Sequence, residues 1–597
     1  MRSPSLSRGF LFLLLAVSLP AAGLAALQRG KSPLDRAYQR WFRAFKAGKI
    51  DPEDAKGPLK TPYLPRSMVR DFPTRGLYTR LHEARALFGL LVGRGTAEDG
   101  ERLLAVLEVA LARQGKEGQA VGGREWRIRR ALLAALQGRR VKAGIQAAIL
   151  DRVRKGLRTR KTKDGEVKAH DEPGLAAALL PVLASYGTPS LRYVLEECLE
   201  VEDPRVRAGA CRALGTLGSG VSIAAVARAL RGLVHPEDVR PVADALVLLA
   251  GARRPPPGER GLQAALSTAQ DSLRLLKDWR ARLPLVGVLR AIRSASSVPL
   301  LLGLLEECAN PTPGLRSDPV SGTLRAAVHD ALVDLTGFYA SPREPGKWRS
   351  WWEANRDEFR LAPARETAIG KGKTVARTFF GIPVTGSRVI FVLDVSGSMA
   401  WPFAVGTRAR PKNGGGPSSG GHESRLQRAK KELLRAVNAL GPDARFNVVF
   451  FSGGVRSWKK KLVQASSKNK RTLAAYLAKV RPGGGTALYD GLETGLKIKT
   501  RRKRGARYPT PVDEVFLLSD GMPSVGTVLD PVEILSRVRE WNQGANVRIN
   551  TIFVGSRKID RAHLPPGAAN PASRMRPEDF MSRLAKENYG VYRRPTR

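Results

Sequence analysis

The chain has 597 residues, too many for one hydrophobic core, and its 43% apolar content is that of globular domains, which excludes a small stapled fold and a wholly unfolded chain. Lys and Arg number 101 against 54 acidic residues, a net charge of +47, so the surface is cationic and attracts nucleic acid, anionic lipid and acidic polymers alike. The three cysteines, Cys198, Cys211 and Cys308, sit on apolar helical faces as an odd set, which reads as buried small hydrophobes and not as a disulfide framework.

In chain order, Arg2 and Arg8 precede an uncharged run from Gly9 to Leu27 that ends in Ala21, Ala22, Gly23, Ala25 and Ala26. This is the form of an export signal over residues 1–26 and predicts a secreted, periplasmic or cell-envelope protein, although a run of this length is also marginally enough for an anchor. Residues 27–76 carry Trp41, Phe42 and Phe45 at helical spacing and then Pro and Gly punctuation, which predicts a short helix and an irregular segment.

Residues 77–361 read as one short Ala/Leu-rich helix after another, with no Val/Ile strand between them. The phrase Val194-Leu195-Glu196-Glu197-Cys198 recurs as Leu304-Leu305-Glu306-Glu307-Cys308. Each copy is followed by a helix of one plan, Arg207-Ala208, Ala213-Leu214 and Leu217 in the first and Arg325-Ala326, Ala331-Leu332 and Leu335 in the second. Pro204 behind the cap Asp203 opens the first of these helices. The pattern resembles HEAT-type repeats, which implies an α-solenoid of stacked helix pairs. Trp348, Trp351 and Trp352 after Gly337 are expected to close the array as an aromatic cap.

Residues 362–375, with Gly370, Lys371, Gly372 and Lys373, form a polar linker. Over 376–597 the period changes, and apolar strand-like runs alternate with amphipathic helices. That alternation predicts an α/β doubly wound (Rossmann-like) domain, with a parallel sheet between helices. Its first run, Val389 to Leu393, is continuous and rich in β-branched residues, as in a strand buried on both faces. Asp394, Ser396 and Ser398 leave its carboxyl end within five residues. Oxygen-only donors of this kind suit a hard divalent cation. Ligands of doubly wound sheets gather beyond the carboxyl ends of strands, and two more oxygens stand at such loops, Thr486 after Gly483-Gly484-Gly485 and Asp520 after Leu517-Leu518-Ser519.

This ordered set resembles the metal-ion-dependent adhesion site of von Willebrand factor type A domains, with D-x-S-x-S on one loop, Thr on a second and Asp on a third. The resemblance implies that Asp394, Ser396, Ser398, Thr486 and Asp520 hold Mg²⁺ (or Mn²⁺ or Ca²⁺), with a position left for a carboxylate of a protein partner. Two carboxylates balance the ion while three hydroxyls add no charge, which suits an acidic partner. The insertion Trp401–Gly421 departs from the family pattern. The basic runs Lys499–Arg507 and Lys459–Lys461 fit either a solvated loop or a polyanion contact. The sequence carries no G-x-S-x-G elbow directly after a strand, no phosphate loop and no zinc-protease helix, so the expected role is binding and scaffolding, not catalysis. The other reading is a cationic envelope scaffold that holds an anionic polymer or nucleic acid, with a structural metal loop.

Overall fold

The structure, a computed structural model, describes residues 32–50, 64, 80–116, 124–138, 140–157, 159–161, 167–170, 172–253, 255–309, 322–363, 378–403, 423–496, 512–555 and 575–595. The export-type segment 1–26, most of the linker, the Gly-rich part of the insertion and the run Lys499–Arg507 lie outside them. Among the described residues no helix is long and apolar enough to cross a membrane.

The first part is helical: α1 (Pro33–Lys46), α2 (Arg80–Arg94), α3 (Ala97–Lys116), α4 (Arg124–Leu136), α5 (Ala143–Gly156), α6 (Pro173–Ala184), α7 (Leu191–Glu197), α8 (Pro204–Leu217), α9 (Ile223–Arg228), α10 (Pro236–Ala250), α11 (Glu259–Leu275), α12 (Trp279–Ile292), α13 (Ser297–Ala309), α14 (Gly322–Thr336) and α15 (Pro345–Asn355). The caps fall where the sequence puts them. Asp203 accepts the Arg205 N–H ahead of α8, Asp278 accepts the Arg280 N–H ahead of α12, and Gly218 ends α8 at a φ of 67°. Helices α6, α8, α10, α12 and α14 stack in series as an inner ladder, backed by α7, α9, α11 and α13. Such stacking is how a solenoid buries faces that no single pair could cover. One core runs from Trp41 of α1, edge-on to Phe88 of α2, to Trp348 of α15. At the far end Phe338 stacks on Trp351 with ring centroids 4.6 Å apart, and the aromatic cluster closes the array as expected. A hairpin, β1 (Thr159–Lys161) with β2 (Val167–His170), interrupts the helices. No strand was expected there because both runs are short and polar.

The second part begins with a small hairpin, β3 (Thr378–Phe379) and β4 (Ile382–Pro383). It then runs β5 (Arg388–Asp394), α16 (Arg425–Asn438), β6 (Arg445–Phe451), β7 (Val455–Ser457), β8 (Val463–Gln464), α17 (Ser467–Lys479), α18 (Leu488–Leu496), β9 (Glu514–Ser519), α19 (Pro531–Ala545), β10 (Arg548–Phe553), α20 (Pro577–Lys586) and β11 (Tyr592–Arg593). The sheet order is β11-β10-β9-β5-β6-β7, with β8 also on β6. All pairings are parallel except those of β7 and β8, so the sheet is mixed where an all-parallel one was expected. Both exceptions are edge strands of two or three residues. Strand β5 is central, with β9 on one side and β6 on the other, and the winding reverses there. Its alternate residues divide between two cores: Val389, Phe391 and Leu393 face α16 and α17, while Ile390 and Val392 face α18, α19 and α20. Burial on both faces explains the unbroken apolar run.

The two parts are in contact. Trp126 of α4 donates its indole N–H to Glu540 of α19 at 2.6 Å. Arg240 of α10 donates to the carbonyls of Asn542 and Glu587 at 2.7 Å each, with its guanidinium over the Tyr589 ring. The Arg280 carbonyl of α12 accepts Asn546 Nδ2 at 2.6 Å, and Thr323 of α14 donates to the Asp513 carbonyl at 3.0 Å. Successive inner helices thus hold α19 and the strand entrances beside it.

Candidate metal centre

Strand β5 carries Asp394 to the carboxyl edge of the sheet, where the last ladder bond runs from the Val395 N–H to the Phe451 carbonyl at 2.8 Å. A short 3₁₀ turn, Gly397–Ala400, follows. Asp394 is fully buried and Ser396 nearly so. Asp394 Oδ1 accepts the Ser396 N–H at 2.8 Å, which folds the loop over the carboxylate. The Ser396 and Ser398 hydroxyls lie 3.2 Å apart, and Ser398 Oγ donates to Asp520 Oδ1 at 2.8 Å. The Gly-rich loop docks on the first through Gly397 N–H to the Gly484 carbonyl at 3.0 Å and Gly483 N–H to the Val395 carbonyl at 2.9 Å. Gly484 has a φ of 77°, so a side chain there would be strained. Thr486 follows two residues on, buried, with its N–H on Ser524 Oγ at 2.9 Å. The structure therefore brings four of the five oxygen residues into one hydrogen-bonded group and seats the loop of the fifth against them.

Three further residues take part that the motif does not contain. Ser519 Oγ, buried, donates to Asp394 Oδ2 at 2.7 Å. Ser524 holds Thr486 from both sides, its own N–H reaching the Thr486 carbonyl at 3.0 Å. Arg425, the first residue of α16, places Nη1 2.6 Å from Asp520 Oδ2 in a buried ion pair. The sequence signals are slight: a hydroxyl adjoining Asp520, and a cation after the cap Ser424.

The ends of the Trp401–Gly421 insertion are fastened together. Phe403 N–H bonds the Glu423 carbonyl at 2.8 Å and Arg425 N–H bonds the Trp401 carbonyl at 2.9 Å. The Arg425 guanidinium lies over the Trp401 ring, which is 45% exposed beside the site. The remainder of the insertion lies outside the described residues.

Burial pushes the Asp394 carboxyl up to about 7, and the neighbouring Asp520 charge adds to it, against hydrogen bonds from Ser396 and Ser519 that pull it down. Two carboxylates held this close are poorly neutralised by hydroxyls and one guanidinium, so the donor set fits a divalent cation. Among the described residues no three His, Cys, Asp or Glu side chains converge, and the group is built mainly of hydroxyls, as a hard ion accepts and zinc does not favour.

A profile of the von Willebrand factor type A domain matches residues 389–522, from the first residues of β5 to just past Asp520, and one of HEAT repeats matches 166–250, from β2 through α10. This chain carries a type A domain behind HEAT repeats. Similar curated proteins include inter-alpha-trypsin inhibitor heavy chain 4 of Mus musculus, 30% identical over 27% of this chain and 15% of that one. Inter-alpha-trypsin inhibitor heavy chain H3 of Homo sapiens is 29% identical over 36% and 19%. The chain thus spans no more than a fifth of the length of these relatives. Among solved structures, a von Willebrand factor type A protein from Catenulispora acidiphila matches 35% of this chain and 38% of its own at 16% identity and a TM-score of 0.22. Proximal thread matrix protein 1 from the mussel byssus, with a zinc-occupied MIDAS motif, matches 35% and 41% at 21% identity and a TM-score of 0.21.

Proposed function

We propose that the type A domain holds a divalent cation through Asp394, Ser396, Ser398, Thr486 and Asp520, with Mg²⁺ the natural ion and Mn²⁺ or Ca²⁺ able to replace it, and that it binds an acidic group of a protein partner there. The observation that carries this reading is the hydrogen-bonded group Asp394–Ser396–Ser398–Asp520 at the strand end where the sheet reverses its winding. When bound, the ion supplies an electrophilic centre for an outside carboxylate. The chain's own residues keep that ligand set in place: Ser519 orients Asp394, Ser524 orients Thr486, and Arg425 orients Asp520. The role is adhesion or scaffolding, and the reading includes no catalytic step.

The same proposal takes residues 1–26 as an export signal, 77–361 as the repeat domain and 376–597 as the type A domain, and sets the protein outside the cytoplasm. Amino-terminal sequencing of the mature protein tests the cleavage. The binding role is tested by pull-down from the native envelope with Mg²⁺ present. EDTA and the variant Asp394→Ala with Ser396→Ala should both abolish capture, while moderate salt should not. Unchanged capture by the variant would remove the metal from the mechanism.

A further inference from the structure

Charge is segregated within the type A domain. Residues 423–482 hold fifteen Lys and Arg against three acidic residues, whereas residues 512–555 hold three against six. The second segment includes α19, which meets the solenoid, so its acidic side chains face the solenoid's cations: Glu540 accepts Trp126 and lies 3.4 Å from Arg129, and Glu533 lies 3.3 Å from Arg127. The first segment, spanning α16 to just past α17, is on the other side of β5. Two of its three acidic residues are already engaged within it, Glu423 with Lys431 at 2.7 Å and Glu432 with Arg428 at 3.2 Å.

The cations left over are brought to one edge. Arg445 opens β6 and pairs in register with Gln464 of β8, just ahead of α17. Asn447 grips the loop before β8 by its backbone, donating to the carbonyls of Lys459 at 2.7 Å and Lys461 at 3.2 Å and accepting the Lys459 N–H at 3.1 Å. Lys470 of α17 ties onto the end of α16, donating to the Asn438 and Leu440 carbonyls at 2.8 and 2.7 Å. These ties gather Arg435, Arg445, Lys460, Lys461, Lys468 and Arg471 near the amino end of β6, all six exposed and none with an acidic partner among the described residues. The metal loops leave the opposite, carboxyl ends of the strands.

We propose that this edge is a docking surface for a linear polysaccharide bearing sulfate or carboxylate groups. An edge of six exposed cations, against which the turn ahead of β6 sets a single acid of this segment, Asp443, matches a polymer whose charges repeat along its outside. A single-stranded nucleic acid fits less well because, among the described residues, the patch offers no exposed aromatic ring on which bases could stack. Trp458 is buried against Phe446 and Tyr476 packs on Phe450. The surface is separate from the metal loops, so the molecule has two binding edges that respond to different conditions.

The test uses the full chain and a labelled sulfated dodecasaccharide, with affinity measured by anisotropy across a salt series. The patch variant Lys460→Glu, Lys461→Glu, Lys468→Glu, Arg471→Glu is compared with a control of equal charge change on the solenoid, Arg228→Glu, Arg231→Glu, Arg260→Glu, Lys277→Glu, whose four positions are also exposed. The patch variant should lose about tenfold or more in affinity and flatten the log–log salt dependence by about three, from roughly four lost contacts, while the control should change far less. EDTA should have no effect. Equal losses in both variants would mean diffuse attraction by net charge and would overturn the site. Tighter binding of a DNA duplex than of the polysaccharide, lost in the same patch variant, would assign the surface to nucleic acid and overturn the partner. Should the patch variant fail to fold, Lys460→Gln with Lys461→Gln, which leaves the helix untouched, reads the same outcomes at about half the effect on the slope.

Discussion

Strand β9 has acidic residues at both ends, and the two ends use them in opposite ways. At the amino end Glu514 Oε2 accepts the Thr385 and Gly386 N–H groups at 2.8 and 2.6 Å, and Oε1 accepts Asn550 Nδ2 at 2.8 Å. Asp513 beside it accepts the Arg388 and Ser387 N–H groups at 3.0 and 3.1 Å and the Ser387 hydroxyl at 2.9 Å. Backbone N–H groups are most of the donors at that end, with the Ser387 and Thr385 hydroxyls and the Asn550 amide beside them, and it works as a clamp on the entry to β5. At the carboxyl end Asp520, with Asp394 next door, meets hydroxyls that rotate and one guanidinium. Hydroxyl oxygens can accept as well as donate, so the end where they predominate can turn more lone pairs toward a cation than the end held mainly by N–H groups. The difference lies in the donors, not in the acids.

The comparison breaks if the two ends fail to respond separately. The largest effect is expected from Glu514→Ala, which strands buried N–H groups of Thr385, Gly386 and Asn550 and should cost about 4 kcal/mol of stability, read from the urea midpoint. Glu514→Gln should cost much less, and neither should alter divalent-ion affinity in the folded protein. A large loss of ion affinity in the Gln variant would join the two ends into one site.

Asp513 sharpens the contrast through pH. Burial pushes its carboxyl up to about 6, against the hydrogen bonds from Arg388 and Ser387 that pull it down, and the Glu514 charge adds to the rise. In the unfolded chain the group ionises near 4. Between those values the folded chain keeps a proton that the unfolded chain has lost, so this group's contribution falls as pH rises from about 4 to about 6, by roughly 3 kcal/mol in total. Asp513→Asn should remove that part of the slope in a denaturation series across pH. A variant profile parallel to wild type would show that the group is ionised throughout.

At the carboxyl end, Asp394→Asn should weaken Mg²⁺ or Mn²⁺ binding about a hundredfold by calorimetry while raising the metal-free melting temperature, because a buried charge beside Asp520 is removed. Ser519→Ala, one step back from the ion, should weaken it about tenfold. A melting temperature that falls in the Asp394→Asn protein would mean that the acids here are structural, like those at the amino end.

How much of this was legible in the sequence follows the same division. The β5 run and the loops bearing Ser396, Thr486 and Asp520 were readable because burial on two faces forces an apolar run and a strand end forces small residues. Ser519 was hidden because it looks like the last residue of an apolar strand. Arg425 was hidden by the insertion, which separates it from Ser398 in sequence while Phe403 and Glu423 close the gap in space. Helix α17 begins at Ser467 because Ser466 caps it by accepting the Asn469 N–H. The contact between solenoid and type A domain was the least legible. The inner ladder presents the Arg240 guanidinium to the Asn542 and Glu587 carbonyls and the Arg280 main-chain carbonyl to Asn546, and neither contact has a signature in the repeat pattern. The solenoid's inner helices therefore do not offer the wholly open surface that the repeats alone suggest.

The smallest effect, and the one that separates the two ends most finely, is expected at Arg425. Its guanidinium neutralises Asp520 from one oxygen while Ser398 holds the other, and its side chain is 9% exposed. A fixed positive charge this near a divalent ion opposes the ion's binding, even as it orients the carboxylate that binds it. If charge outweighs orientation, Arg425→Gln should bind Mn²⁺ a fewfold more tightly, and Arg425→Lys should remain near wild type. The metal-free Arg425→Gln protein should also melt lower and gain more from added ion, since two carboxylates then lack any counter-charge. Weaker binding in the Gln variant would show that orientation dominates, and that the carboxyl end, like the amino end, depends on a fixed donor to hold its acid in place.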